Sequence, residues 1–61
     1  MPYINLKVAG TLTNEQKAEI ARQFTETLEK VANKPPAVTY VVIDEVEREN
    51  WAAGGELLSN K

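Results

Sequence analysis

The second residue of the chain is a proline, and its place beside the initiator methionine could by itself create a catalytic group. Pro2 is small enough for Met1 to be removed, which leaves a secondary amine as the chain terminus. A free α-amine titrates near ~8, and apolar walls disfavour its charged form and lower that value. An amine brought towards neutrality is a suitable general base at physiological pH. Proline makes up ~5% of residues and stands second by chance in about one chain in twenty. Pro2 alone therefore decides nothing, and the question passes to the elements that would position it.

The residues after it alternate as a strand. From Tyr3 to Val8, Ile4, Leu6 and Val8 fall on one face and Tyr3, Asn5 and Lys7 on the other. The amine is thus expected to be held by structure. A short loop, Ala9-Gly10-Thr11-Leu12, leads to Thr13-Asn14-Glu15-Gln16, a capping-box pattern that predicts a helix start. Ile20, Phe24, Leu28 and Val31, widened by Ala21 and Ala32, recur at helical spacing to about Asn33. Arg22, Glu26 and Lys30 stand four apart on the opposite side and read as a solvated face. Asn33-Lys34-Pro35-Pro36 stops the helix.

A second strand is expected from Val38 to Val46, with Thr39, Val41 and Ile43 on one face and Tyr40, Val42 and Asp44 on the other. Glu45 to Asn50 reads as a charged turn. Gly54-Gly55 after Trp51-Ala52-Ala53 suits a tight hairpin, and Leu57-Leu58 a closing segment. Strand, helix, strand predicts an α/β (α+β) fold, one βαβ domain over residues 1–61, with parallel strands and a right-handed crossover.

One helix covers one face of a two-stranded sheet, whereas parallel sheets are normally covered on both faces. At 61 residues the chain is also small for a self-sufficient core. It has no cysteine and no histidine, so no disulfide and no thiolate metal site can staple it, and no metal or cofactor is expected. Both arguments point to a homo-oligomer. The net charge of −2 and the lack of any basic cluster argue against nucleic acid. No apolar run nears the ~20 residues that span a bilayer, and no signal peptide precedes the first strand. A cytoplasmic protein without membrane partners is expected.

Met1-Pro2-Tyr3-Ile4, Thr13-Asn14-Glu15-Gln16-Lys17, Val41-Val42-Ile43-Asp44-Glu45 and Trp51-Ala52-Ala53-Gly54-Gly55-Glu56, in that order and spacing, resemble the 4-oxalocrotonate tautomerase family, especially the short 2-hydroxymuconate tautomerases. The resemblance covers nearly the whole chain. It implies a hexamer, a trimer of dimers, in which two βαβ units form a four-stranded sheet with two helices on one face. It also implies a mechanism. The uncharged amino-terminal proline takes a proton from a small unsaturated enol or dienol acid and returns it to another carbon.

Carried over residue by residue, the resemblance makes Pro2 the base and places Trp51 at the aromatic position of the apolar wall. Packing between subunits is the alternative role for Trp51. The family's two substrate-binding arginines are missing, since Leu12 and Tyr40 stand at those positions. Leucine offers no hydrogen bond and tyrosine one neutral donor, against the bidentate grip of arginine. Tyr40 could donate to a substrate oxygen or pack between subunits. Arg48, or less readily Lys7, could supply a cation, while Arg48 among Glu45, Glu47 and Glu49 also reads as a surface ion pair. If Met1 is retained, the Pro2 nitrogen is an amide, and the alternative is an oligomeric binding or scaffold protein of the same fold. Hydration or dehalogenation of a small unsaturated acid is a third possibility, for which no additional activating acid is present.

Overall fold

In the computed structural model, which describes residues 1–61, strand β1 spans Tyr3–Ala9 and strand β2 Tyr40–Val46, paired in parallel. Helix α1, Asn14–Ala32, connects them. The register sets Ile4 beside Val41 and Leu6 beside Ile43. These half-buried residues share the face that meets α1, where Ile4 lies close to Phe24 and Leu28. The other face carries Tyr3 beside Tyr40, Asn5 beside Val42 and Lys7 beside Asp44.

The helix begins as its capping pattern predicts. Thr13 Oγ1 accepts from the Gln16 N–H at 3.1 Å, and Gln16 Oε1 accepts from the Thr13 N–H at 2.9 Å. Two of the orphan donors of the first turn are thereby satisfied. At the other end Asn33 turns left-handed at φ 61°, and the Lys34 N–H closes on the Leu28 carbonyl at 3.2 Å. Glu26 bridges Arg22 and Lys30 at 3.0 and 2.9 Å on the outer face, which is solvated as expected. Val31 departs from the expected apolar stripe, being 82% exposed.

Three boundaries move. The second strand starts at Tyr40 instead of Val38, because a 3-10 turn over Pro36–Val38 takes the preceding donors. The Val38 and Thr39 N–H groups close on the Pro35 and Pro36 carbonyls and are lost to the ladder. Ala9 belongs to β1 and not to the loop, since it pairs with Val46 and the Gly10 N–H donates to Val46 at 2.9 Å. Glu45 lies within β2, so the charged turn begins after Val46.

Residues 47–61 form an arm. A 3-10 turn, Arg48–Asn50, leads to the short strands β3, Ala52–Ala53, and β4, Glu56–Leu57, followed by a last 3-10 turn, Leu58–Asn60. β3 and β4 pair antiparallel across Gly54 and Gly55, whose φ values of 63° and 84° suit a two-residue hairpin turn that twists with its strands.

No residue of the single chain is buried. Its accessible surface is 4616 Å², against roughly 4,000 Å² for a compact protein of this mass. Its radius of gyration is 14.4 Å, against about 10.5 Å for a compact chain of this length. The shape, 42 × 24 × 15 Å, is an elongated body with an arm and no closed core.

Candidate active site

Pro2 precedes β1 and is half-buried, while Met1 before it is 87% exposed. The Tyr40 N–H donates to the Pro2 carbonyl at 2.9 Å, one step beyond the regular ladder. The residue that would carry the terminal amine is therefore tied to the sheet. Because proline fixes its own φ, little backbone freedom remains at the position of a base.

The same register places the Tyr3 and Tyr40 side chains together on the helix-free face, 64% and 54% exposed. Tyr3 was not among the candidates, and the shared parity of Tyr3 and Tyr40 is visible only once the strand register is known. Farther along this face Asp44 Oδ2 accepts from Lys7 Nζ at 2.8 Å and from Asn5 Nδ2 at 2.9 Å. The Lys7 ammonium, helped by Asn5, holds the Asp44 carboxyl below its ordinary range, and Asp44 in turn raises Lys7. Lys7 is thus engaged within its own chain.

Trp51 and Arg48 lie at the base of the arm. Trp51 is half-buried; its N–H caps the 3-10 turn on the Arg48 carbonyl at 3.4 Å, and its carbonyl receives the Leu58 N–H at 2.8 Å. The ring is thereby carried between two turns. The ion pair expected of Arg48 does not form, and its guanidinium has no salt-bridge partner. One of its expected partners is occupied elsewhere. Glu45 Oε2 accepts from the Leu12 N–H at 2.7 Å, and its Oε1 meets Lys17 Nζ at 2.9 Å. The Leu12 amide, followed by Lys17, holds the Glu45 carboxyl below its usual value.

Within one chain the structure joins Pro2 to Tyr40 through the backbone and does not bring Trp51 or Arg48 to them by any hydrogen bond or shared cavity. A groove of about 410 Å³, lined by Leu12, Ile20 and Phe24 together with polar residues of α1, is separate from Pro2. Sequence reasoning missed Glu45. Its signal was parity: a carboxylate two residues after Ile43 sits on the strand's apolar face, where it needs a partner.

Residues 2–61 match the model of the family described as tautomerase enzyme. A probable tautomerase of Dickeya dadantii is 39% identical over 62 residues, spanning 100% of this chain and 92% of the relative. The crystal structure of DmpI from Helicobacter pylori superposes with a TM-score of 0.92 at 36% identity, covering 98% of this chain and 100% of that one. A heterohexamer 4-oxalocrotonate tautomerase from Chloroflexus aurantiacus gives 0.88 at 27% identity, over 97% and 95% of the two chains. Sequence, βαβ architecture and hairpin arm agree along the whole length, and the chain belongs to the tautomerase family, with 4-oxalocrotonate tautomerase homologues as its structural neighbours.

Proposed function

We propose that the protein, once Met1 is removed, is an isomerase that shifts a proton in small 2-hydroxydienoate or enol-pyruvate acids, with the Pro2 amine as general base. The observation that carries this reading is the Tyr40 N–H to Pro2 carbonyl bond at 2.9 Å, which holds the residue bearing that amine to the sheet. A base fixed in place can take a proton from the enol and return it to a conjugated carbon without diffusing between the two. The net result is keto–enol conversion or migration of a double bond.

The site is completed by other copies of the chain. Support comes from the single chain, which buries no residue and leaves Trp51 and Arg48 apart from Pro2. A hexamer built of this one chain is proposed; the Chloroflexus aurantiacus neighbour, a heterohexamer, supports the number of subunits and not their identity. There Trp51 supplies an apolar wall, and Tyr40 one neutral donor. Arg48, free of internal ion pairs and three residues before Trp51, is the cation proposed to meet a carboxylate. With leucine and tyrosine in place of the family's arginines, dicarboxylates such as 2-hydroxymuconate should turn over slowly and with little preference over monocarboxylates.

The test compares Met1-free wild type, Met1-retaining protein and Met1-free Pro2→Ala on 2-hydroxymuconate. Pro2→Ala should lower the rate on the order of 10²-fold, within the range of a positioned general base, and retained Met1 should abolish it. Equal rates for processed and Met1-retaining protein would remove Pro2 as the base. Retention of Met1 in protein from its native host, read by intact mass, would favour an oligomeric binding or scaffold role instead, because the Pro2 nitrogen would then be an amide.

A further inference from the structure

The face of the sheet turned away from α1 carries three rows of side chains: Tyr3 beside Tyr40, Asn5 beside Val42 and Lys7 beside Asp44. Tyr3, Tyr40 and Val42 are neighbours there and stand 64%, 54% and 41% exposed. An exposed apolar patch of this kind marks a contact surface. At its end Lys7 Nζ and Asn5 Nδ2 both donate to Asp44 Oδ2, at 2.8 and 2.9 Å. Asp44 Oδ1 accepts nothing, and two of the three N–H groups of the Lys7 ammonium have no acceptor. The pair is neutral, yet it keeps an open acceptor and open donors.

We infer that another copy of the chain covers this face, and that Lys7 Nζ of one copy donates to Asp44 Oδ1 of the other. No residue of the single chain is buried, so covering is a condition of any closed core. The partner must then be present wherever the chain is, and another copy always is. The accessible surface exceeds that of a compact protein of this mass by about 600 Å². That is of the order of the roughly 800 Å² that each partner loses in a standard interface. The open groups are also self-complementary. A donor and an acceptor of opposite charge stand in one row, so the same row on a second chain satisfies both. The inference takes from the proposed function only that copies associate. Tyr40 keeps its donor role there, because that site too is formed between copies.

Nitration by tetranitromethane at neutral pH, read by peptide mass, tests the covering. Tyr3 of the assembled protein should lose most of the reactivity that it has in the urea-unfolded chain. Sedimentation tests the bridge with wild type, Lys7→Met, Asp44→Leu and the double variant. Each single change leaves an unpaired charge in a covered face, and should raise the concentration at which the protein dissociates on the order of a hundredfold. The double change removes both charges and should recover most of that loss. A single variant that does not fold, beside a double variant that assembles, gives the same answer. Reactive Tyr3 in assembled wild type would overturn the covering of this face, whereas a monomer at micromolar concentration would overturn the association itself. Single changes within about fivefold of wild type, as for a solvent-exposed pair, would overturn the bridge. So would a double variant no better than the singles. Failure of the base assignment is read separately, from the Pro2→Ala rate.

Discussion

The βαβ body and the arm of residues 47–61 satisfy their backbones by different means. The body has a 19-residue helix closed at both ends and a ladder of seven residue pairs from Tyr3 to Ala9. The arm has two strands of two residues each, and a hairpin held by Trp51, Leu58 and two glycines. An isolated two-stranded hairpin is marginal at best in water. Yet the body is not self-sufficient either, since Tyr3, Tyr40 and Val42 stand 64%, 54% and 41% exposed on its helix-free face. The body is well specified locally and incomplete globally; the arm is incomplete on both counts. The comparison teaches that assembly must finish both, and that the arm should be the first part lost when assembly weakens.

Dilution tests this most severely. The single tryptophan, Trp51, reports the arm by fluorescence, and far-UV ellipticity reports α1 in the body. When folding and association share buried area, the apparent stability falls with protomer concentration. Dilution should therefore dissociate the protein, shift Trp51 emission and remove the helical ellipticity, with the Trp51 change at equal or higher concentration than the loss of ellipticity. A folded, helical monomer by sedimentation at micromolar concentration would show the body sufficient by itself.

Smaller effects separate the two regions. Gly54 has φ 63°, and a Cβ there would meet nothing within 4 Å, so Gly54→Ala costs backbone strain and no clash. For an L-residue in that region the cost is roughly 1–2 kcal/mol. Thr13→Ala removes the cap of α1 and should cost ~1 kcal/mol. Thermal melts at one protein concentration should rank Gly54→Ala below Thr13→Ala. Only the glycine change should shift Trp51 emission in the folded protein. Equal emission in both variants would mean that the arm's turn does not govern where Trp51 sits.

The smallest effect is the response to pH. Asp44, Glu45 and Glu26 are held below their ordinary values, and Glu19 is lowered to about 2 by Arg22 and then Gln23. A carboxyl whose folded pKa is depressed stabilises fully above its unfolded value, near ~4. That contribution is lost as pH falls through the folded pKa. With no histidine, no side chain has an ordinary pKa between ~5 and ~7. The melting temperature should stay level across that interval and decline only from about pH 4 towards pH 2. These groups are exposed, so the decline should be shallow. In Met1-retaining protein, where the Pro2 nitrogen is an amide, a transition centred near pH 6 would point to a carboxyl buried on assembly, since no side chain of the body or arm has an ordinary pKa there.

Local chemistry was legible in the sequence because its partners are close along the chain. Thr13 and Gln16 are three apart, Arg22, Glu26 and Lys30 four apart, and Gly54-Gly55 adjacent; each appears in the structure as read. Strand parity was equally legible, since side chains alternate whatever the strand pairs with. The pairing itself was not. Val8 stands opposite Glu45 and Tyr3 opposite Tyr40 through the parallel register, which links residues 37 positions apart. That register alone brings Glu45 to the Leu12 amide, 33 residues away, and to Lys17, 28 away. It also sends the Tyr40 N–H to Pro2. A carboxylate at position 45 has several cations and donors within sequence reach, Arg48 among them, and composition gives no reason to choose. The sheet chooses, because the end of β1 delivers the loop to the face on which Glu45 already lies.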